Sequence, residues 1–241
     1  MKDFEEINYG TLSPDQQLNR SLAFPVLMRK VYLWMTLALV ITGATAYYVA
    51  TSPTLLSVIF GNPVMTWGIF LAPLVLVIVL SAGIQKLSLT AATLVFVLYS
   101  VLMGASLSTI FFAYDLGSIF QTFFITAATF GAMALYGYTT KSDLTSWGRL
   151  LFMALIGLII AAIVNIFLGN SMLDLAISAI GVLIFVGLTA YDSQKIKEML
   201  LQAPDASESM QKLALLGALS LYLDFINLFL YLLRFFGNNR D

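Results

Sequence analysis

The chain has 241 residues, of which 60% are hydrophobic and only 10% are charged. Because soluble domains carry about 25% charged residues, this composition excludes a protein that faces water on all sides. The net charge of −1 gives no reason to expect nucleic-acid binding. The chain has neither cysteine nor histidine, so disulfides, thiolate metal sites, thiol nucleophiles and imidazole pH switches are excluded as well.

The first 30 residues are predicted to form a mobile, polar, cytosolic tail. They contain Gly10, Pro14 and Pro25 and precede the first long apolar run. No signal peptide is predicted, because the first apolar run begins too late and is long enough to cross a bilayer. Residues 31–241 are predicted to form the membrane domain.

Seven apolar segments reach the length of about 20 residues that a membrane-spanning helix requires. The sequence therefore predicts an all-α integral membrane protein. The links between the segments are short, except for a charged link from Tyr191 to Lys212 that contains Pro204. The predicted spans are Val31–Ala50, Val64–Ile84, Leu89–Phe112, Ile119–Tyr138, Leu150–Leu168, Met172–Ala190 and Leu213–Leu233.

Lysine and arginine in the links predict the orientation of the spans. The links near Pro53, Asp115 and Asp174 hold no basic residue, so they are expected outside and the amino terminus in the cytosol. The seventh span breaks this pattern, because a full crossing puts Arg234 and Arg240 outside, whereas a re-entrant segment would return them to the cytosol. We expect a full crossing because the apolar run is long enough. The basic residues of the predicted cytosolic face are Lys2, Arg20, Arg29, Lys30, Lys86, Lys141, Arg149, Lys195, Lys197 and Lys212.

Asp224 lies in the middle of the last apolar run, where a carboxylate costs about 2.5–3.5 kcal/mol on insertion scales. A carboxylate kept at that depth is predicted to be functional if a partner exists. It belongs to a polar stripe whose members are spaced three and four residues apart, which places them on one face of a helix. That face is expected to point toward other helices or toward a water-filled path. A simpler interpretation of Ser220 and Asn227 is that their side chains form hydrogen bonds between helices. The stripe comprises Gly217, Ser220, Asp224, Asn227, Tyr231 and Arg234.

The candidate partner of Asp224 is Asp192, at the cytosolic end of the sixth span, with Thr189 on the same face three residues earlier. Lys86 follows the second span on the same side of the membrane and is a candidate counter-ion. Two simpler interpretations stay open. Asp192 could be a solvated acid neutralised by Lys195, and Lys86 could only mark the cytosolic side.

The two aspartates differ in predicted depth. If the seventh helix begins at Leu213, Asp224 lies about 16 Å into it, at a rise of about 1.5 Å per residue. Asp192 would then lie near the membrane surface. The pair can meet if the first turns of the seventh helix stand in the cytosol, or if the sixth helix continues beyond Tyr191.

Two motifs identify a family resemblance. Residues Ala218–Phe229, followed by Leu233–Gly237, closely resemble the last helix of the Bax inhibitor (transmembrane Bax-inhibitor-motif) family, and Thr189–Ile196 resembles the end of its sixth helix. The seven spans and the basic tail agree, so the resemblance covers nearly the whole chain, and the long polar tail is similar to the bacterial branch. The resemblance implies six helices wrapped around a central seventh, in a bacterial plasma (inner) membrane.

The resemblance also implies an aspartate pair on the last two helices that senses pH for a calcium leak. The matching residues are Asp192 and Asp224. A cationic latch near the end of the second helix would be matched by Lys86, although relatives have arginine there. Because lysine lacks the bidentate fork of arginine, such a latch would be looser here.

Two carboxylates close together in a medium of low dielectric constant cannot both ionise cheaply, so the pair titrates as a unit. Our hypothesis is that a shared proton holds the last two helices together, and that its loss opens a path. Calcium requires six to eight oxygens, which the aspartates with Asn227, Ser220 and Thr189 supply only loosely. Loose coordination favours transit over storage, so calcium is expected as a permeant ion and no cofactor is expected.

Three other functions compete with the calcium leak. A proton-coupled cation transporter would carry inverted repeats and broken helices, and no matching pair of interrupted segments is visible. A non-conducting regulator would bind a protease or another membrane protein. A membrane aspartyl protease would carry glycine beside its aspartates, which neither Asp192 nor Asp224 has, so no enzyme is expected. The predicted partners are the lipid bilayer, calcium ions, protons and, for the regulator, a membrane protein.

Overall fold

The computed structural model describes residues 14–238, with side chains from residue 18 onward. Over this range the chain forms nine helices and no strand, which confirms the predicted all-α fold. Seven of the described helical segments are long and apolar enough to cross a membrane. The helices are α1 (Pro14–Thr51), α2 (Pro53–Phe60), α3 (Pro63–Gly83), α4 (Leu89–Leu107), α5 (Ile110–Ala113), α6 (Leu116–Thr139), α7 (Thr145–Leu168), α8 (Ser171–Leu201) and α9 (Glu208–Phe236).

The seven predicted spans correspond to α1, α3, α4 with α5, α6, α7, α8 and α9. Local sequence signals explain why the links are short. The Ser88 hydroxyl accepts a hydrogen bond from a backbone N–H in the first turn of α4, and the Asn170 side chain does the same for α8. Pro63 occupies the first turn of α3, where its missing N–H costs nothing. Gly169 ends α7 in the left-handed conformation, with φ of 61°.

The first helix starts well before the predicted span. α1 begins at Pro14, and Ala23, Leu27 and Val31 lie buried at spacings of four residues along one of its faces. Since this apolar face continues beyond the uniformly apolar run, the helix continues with it. Residues 14–30 are therefore helical rather than a mobile tail, and their cytosolic location stays a prediction. Lys2, Gly10 and Arg240 lie outside the described residues.

The sixth span is also longer than predicted, and the link after it is shorter. α8 continues to Leu201 because Ile196 and Leu200 extend its buried face, and α9 begins at Glu208. The predicted long link from Tyr191 to Lys212 is therefore wrong. The sixth helix thus continues beyond Tyr191, which was one of the two conditions for bringing the aspartates together, whereas the cytosolic location of the first turns of α9 stays a prediction.

The last span is the most buried of the seven. α9 packs against α1, α4, α6 and α8, whereas α3 packs mainly on α4, and α7 mainly on α8. The arrangement of six helices wrapped around a central seventh stays a prediction, since these contacts establish only four neighbours of α9.

The helices define two ends of the bundle. At the basic end, the Lys30 ammonium donates to the Gln211 side chain at 2.6 Å and joins α1 to the start of α9. At the opposite end, the Asp115 N–H donates to the Asn238 carbonyl at 3.2 Å and joins the start of α6 to the chain beyond α9. α9 therefore runs through the whole bundle. Within residues 18–238, Arg234 is the one lysine or arginine at the opposite end.

Candidate functional site

A cavity of about 950 Å³ lies between α7, α8 and α9 toward the basic end. Its lining includes Asp192 from α8, together with Ser220, Asp224 and Asn227 from α9. The spacing of three and four residues on α9 places these side chains on one face, as the sequence predicts. The structure thus brings together four of the predicted site residues.

Asp224 is the most unusual polar group of this cavity. Its side chain is only 5% exposed, although it lines the cavity wall. Among the described side chains and backbone groups, none donates a hydrogen bond to its Oδ2 atom. A buried oxygen without a donor costs about 1–3 kcal/mol, so such a group requires an explanation. A proton or a cation on this carboxyl group would supply the missing interaction.

Asp192 lies on the facing helix and is half-buried. It lies beside the Ser220 hydroxyl and within the electrostatic range of the Lys195 ammonium. The charge of the Asp192 carboxyl group acts on the Asp224 carboxyl group. Asp192 is therefore a better solvated and better paired carboxylate than Asp224.

The remaining predicted pore-lining residues divide in two. The Asn227 Nδ2 atom donates to the Leu223 carbonyl at 2.8 Å, which is a bond within α9 and not a bond between helices. The Thr189 hydroxyl donates to the Phe185 carbonyl at 2.7 Å in the same way. Asn227 lines the cavity, whereas Thr189 is fully buried and lies away from it.

The predicted latch, Lys86, does not approach the aspartates. It is exposed in the turn between α3 and α4, and α3 packs mainly on α4, away from the cavity. The basic side chains that line the cavity are Arg149 from α7 and Lys195 from α8. In the sequence, Arg149 appears only as a basic residue of a predicted cytosolic link. That pattern does not distinguish a counter-ion of the aspartates from a residue that merely orients the protein in the membrane.

Two glycines that sequence reasoning missed let neighbouring helices approach α8 beside Asp192. A Cβ atom at Gly137 of α6 would collide with the Ala190 carbonyl oxygen. A Cβ atom at Gly148 of α7 would lie 2.5 Å from the Tyr191 ring. Because only glycine permits such contacts, the helix spacing around the cavity depends on these two positions.

The polar stripe of α9 continues beyond the cavity. Phe185, which lines the cavity, stacks on Tyr231 with ring centroids 5.7 Å apart and an interplanar angle of 25°. One turn further, Arg234 forms an ion pair with Asp174 of α8. The Asn165 side chain of α7 also donates a hydrogen bond to the Asp174 carboxylate, at 3.3 Å. The stripe thus has an acidic half in the cavity and a paired half at the opposite end.

These features define a seven-span, all-helical membrane protein with two carboxyl groups in a cavity between its last three helices. Residues 25–241 match the family model described as "Inhibitor of apoptosis-promoting Bax1". The chain belongs to this Bax inhibitor family.

Similar proteins occur in several bacteria. The chain is 53% identical over 214 residues to the inner membrane protein YbhL of Escherichia coli strain K12, covering 88% of this chain and 92% of the relative. It is 47% identical to the uncharacterized protein RP147 of Rickettsia prowazekii, covering 89% and 90% of the two chains. It is 46% identical to an uncharacterized protein of Borreliella burgdorferi, covering 89% and 92%.

Proposed function

We propose that this protein is a pH-regulated calcium leak channel of a bacterial inner membrane, gated by the Asp192–Asp224 pair. The observation that carries the proposal is the buried Oδ2 atom of Asp224, which has no donor in the described chain and lies in a cavity shared with a second carboxyl group. The inner-membrane location is proposed because the Escherichia coli relative is an inner membrane protein. The basic end faces the cytosol, because basic residues favour that side.

A shared proton supplies the missing hydrogen bond and closes the gate. With one proton between them, Asp192 on α8 and Asp224 on α9 attract each other and hold the two helices together. Loss of that proton leaves two anions in a medium of low dielectric constant, and their repulsion is strong. The helices then separate, so the leak increases as the pH rises.

The barrier beyond the cavity is the stacked ring pair of Phe185 and Tyr231. One ring comes from α8 and the other from α9, so separation of these helices separates the rings. The stack lies between the cavity, which Phe185 lines, and the Asp174–Arg234 ion pair at the opposite end. A gate at the carboxyl pair is thereby coupled to a barrier about two helical turns away, since each turn has about 3.6 residues.

Calcium is the permeant ion that suits this cavity. It binds six to eight oxygens, and the cavity offers the two carboxyl groups, the Ser220 hydroxyl and the Asn227 side-chain oxygen to a hydrated ion. In the part of the chain that the structure describes, no group of three or more acidic side chains could hold a metal ion. Weak coordination of this kind permits an ion to leave as well as to enter.

The test is calcium flux into proteoliposomes from about pH 5 to about pH 8, because two interacting carboxyl groups titrate as a unit. The wild type should conduct more calcium at the higher pH. Asp192→Asn and Asp224→Asn replace a carboxyl group by a neutral amide, so each should abolish the pH dependence. Asp143→Asn is the control, because Asp143 is an exposed aspartate in the link before α7, outside the cavity.

Two outcomes would contradict the proposal. If well-folded wild-type protein moves no calcium at any pH, the protein is not a leak channel, and a regulator that binds another membrane protein becomes the better interpretation. If calcium moves but both cavity variants keep the wild-type pH profile, the carboxyl pair is not the sensor. Sodium in place of calcium distinguishes a selective path from a general cation path.

A further inference from the structure

A second cavity lies on the other side of the bundle, between α1 and α6. It is a groove of about 630 Å³, separate from the carboxyl cavity. α1 and α6 both pack on α9 but hardly on each other in the described chain, so a gap remains between them. Its floor is formed by the buried apolar side chains of Met28, Met35, Phe130 and Ala134.

The length of the groove matches one leaflet of a bilayer. Its lining on α1 runs from Phe24 to Met35. At a rise of about 1.5 Å per residue this distance is about 16 Å, roughly half of the hydrocarbon thickness of about 30 Å. Toward the middle of the membrane the groove ends at the Phe130 ring, which packs edge to face on Phe225 of α9 at 5.4 Å. The part of the groove on the inner side of Arg29, from Arg29 to Met35, is about 9 Å long at this rise, which suits the upper half of an acyl chain in the leaflet at the basic end.

The groove holds one basic and two tyrosine side chains. Arg29 lies about midway along its α1 lining with Tyr32 one turn deeper, and Tyr138 lies at the outer end of its α6 lining. From residue 18 to residue 238, no side chain or carbonyl group pairs with the Arg29 guanidinium, and no acidic side chain lines the groove. A second positive charge is near, because the Lys197 ammonium donates to the Tyr138 carbonyl at 2.8 Å and lies 5.4 Å from the centroid of its ring.

We propose that this groove binds an anionic phospholipid, with one acyl chain along Met35 and Phe130 and the phosphate group at Arg29. Guanidinium groups bind phosphate through two parallel hydrogen bonds, which favours an anionic headgroup over a zwitterionic one. The apolar floor distinguishes a lipid from a free phosphate, which has no chain to place there. The site does not depend on the proposed calcium leak.

Gly131 provides a direct way to close the groove. It lines the groove on α6, and a Cβ atom built there meets nothing within 4 Å. A leucine at this position therefore fits the protein itself but occupies the space of the acyl chain. Gly157 on α7 is the matched control, since it is also an exposed helical glycine with open space around its Cβ position.

The experiment is native mass spectrometry of the detergent-solubilised protein, titrated with phosphatidylglycerol and with phosphatidylcholine of the same acyl chains. The wild type should bind phosphatidylglycerol more tightly, and inorganic phosphate should not displace it. Gly131→Leu should lose the binding of both lipids, whereas Gly157→Leu should bind as the wild type does. Arg29→Gln should lower the affinity for phosphatidylglycerol about fivefold, the effect of one basic residue at an anionic surface, and Lys141→Gln should not.

Four results would overturn the proposal. The first is equal binding of the two lipids by the wild type, and the second is full binding of phosphatidylglycerol by Gly131→Leu. The third is an unchanged preference for phosphatidylglycerol in Arg29→Gln. The fourth is a lipid-free dimer of the wild type that Gly131→Leu dissociates. The last would show that a second copy of the chain occupies the groove. If Gly131→Leu does not fold, the exposed Arg29→Gln variant with its Lys141→Gln control still decides the question.

Discussion

Two regions of the α8–α9 pair hold the same kinds of residue in opposite states. At the opposite end, Asp174 is paired with Arg234 and also accepts a hydrogen bond from Asn165. In the cavity, near the middle of α9, Asp224 is buried with an oxygen that has no donor among the described groups. A satisfied ion pair fixes two helices together, whereas an unsatisfied buried carboxyl group leaves the protein dependent on a proton or an ion. The comparison separates a structural aspartate from a candidate functional one.

The largest expected effect concerns the close approach of α6 to α8 beside Asp192. Gly137→Ala puts a methyl group against the Ala190 carbonyl and forces α6 away from α8. Overpacking of this kind costs typically 1–3 kcal/mol, and we expect a loss of about 3 kcal/mol in the free energy of unfolding because the collision is with backbone. Unfolding in mixed detergent micelles measures it. Gly131→Ala, on the same helix with open space, is the control, and equal stability of the two variants would refute the close approach.

The second prediction tests the unsatisfied carboxyl group itself. At about pH 8, Asp224→Asn should raise the free energy of unfolding by about 1–2 kcal/mol, because it removes a buried charge that lacks a donor. The same unfolding assay measures the change. Asp174→Asn should act with the opposite sign, since it breaks a formed ion pair. A loss of stability in Asp224→Asn would mean that the carboxylate has a partner, and the contrast between the two regions would fail.

A smaller effect is expected at the paired end. Arg234 is 46% exposed and Asp174 is 30% exposed, so water and salt screen their attraction. A double-mutant cycle of Asp174→Asn and Arg234→Gln should give a coupling free energy of about 0.5–1 kcal/mol that decreases at high salt. A coupling that does not change with salt would indicate that this end is drier than the structure shows.

The smallest effect is expected at Asp143, a solvated aspartate before α7. Its Oδ1 atom accepts a hydrogen bond from the Thr145 N–H at 2.8 Å. Hydrogen bonds from the Thr145 side chain and backbone lower the pKa of this carboxyl group below its ordinary value of 3.8. A lowered pKa in the folded state contributes stability that is present above the ordinary value and disappears as the pH falls through the lowered one.

Asp143→Ala should therefore be slightly less stable than the wild type at neutral pH, and the difference should shrink below about pH 4, the usual range of an aspartate. Thermal unfolding across that pH range measures it. Asp143→Asn is the control, because its side-chain oxygen accepts the same hydrogen bond at every pH. A difference between wild type and Asp143→Ala that persists in acid would exclude the carboxylate as its source.

The residues that the sequence identified at the site divide according to how local their signal was. Asp224, Ser220 and Asn227 were recognised from spacing along one helix, and the structure places all three in one cavity. The match of Lys86 to a latch depended on a contact between distant helices and on a resemblance at one position. The structure places Arg149 and Lys195 at the cavity instead.

By itself the sequence determined the all-helical class, the number of spans and the face of the last helix that carries polar groups. These properties follow from hydropathy and from the 3.6-residue period, which depend only on neighbours along the chain. The tertiary structure decided that α8 continues past Asp192, that Thr189 turns away, and that Gly137 and Gly148 set the helix spacing. Each of these results depends on which distant surfaces meet, and the packing of whole helices determines that contact.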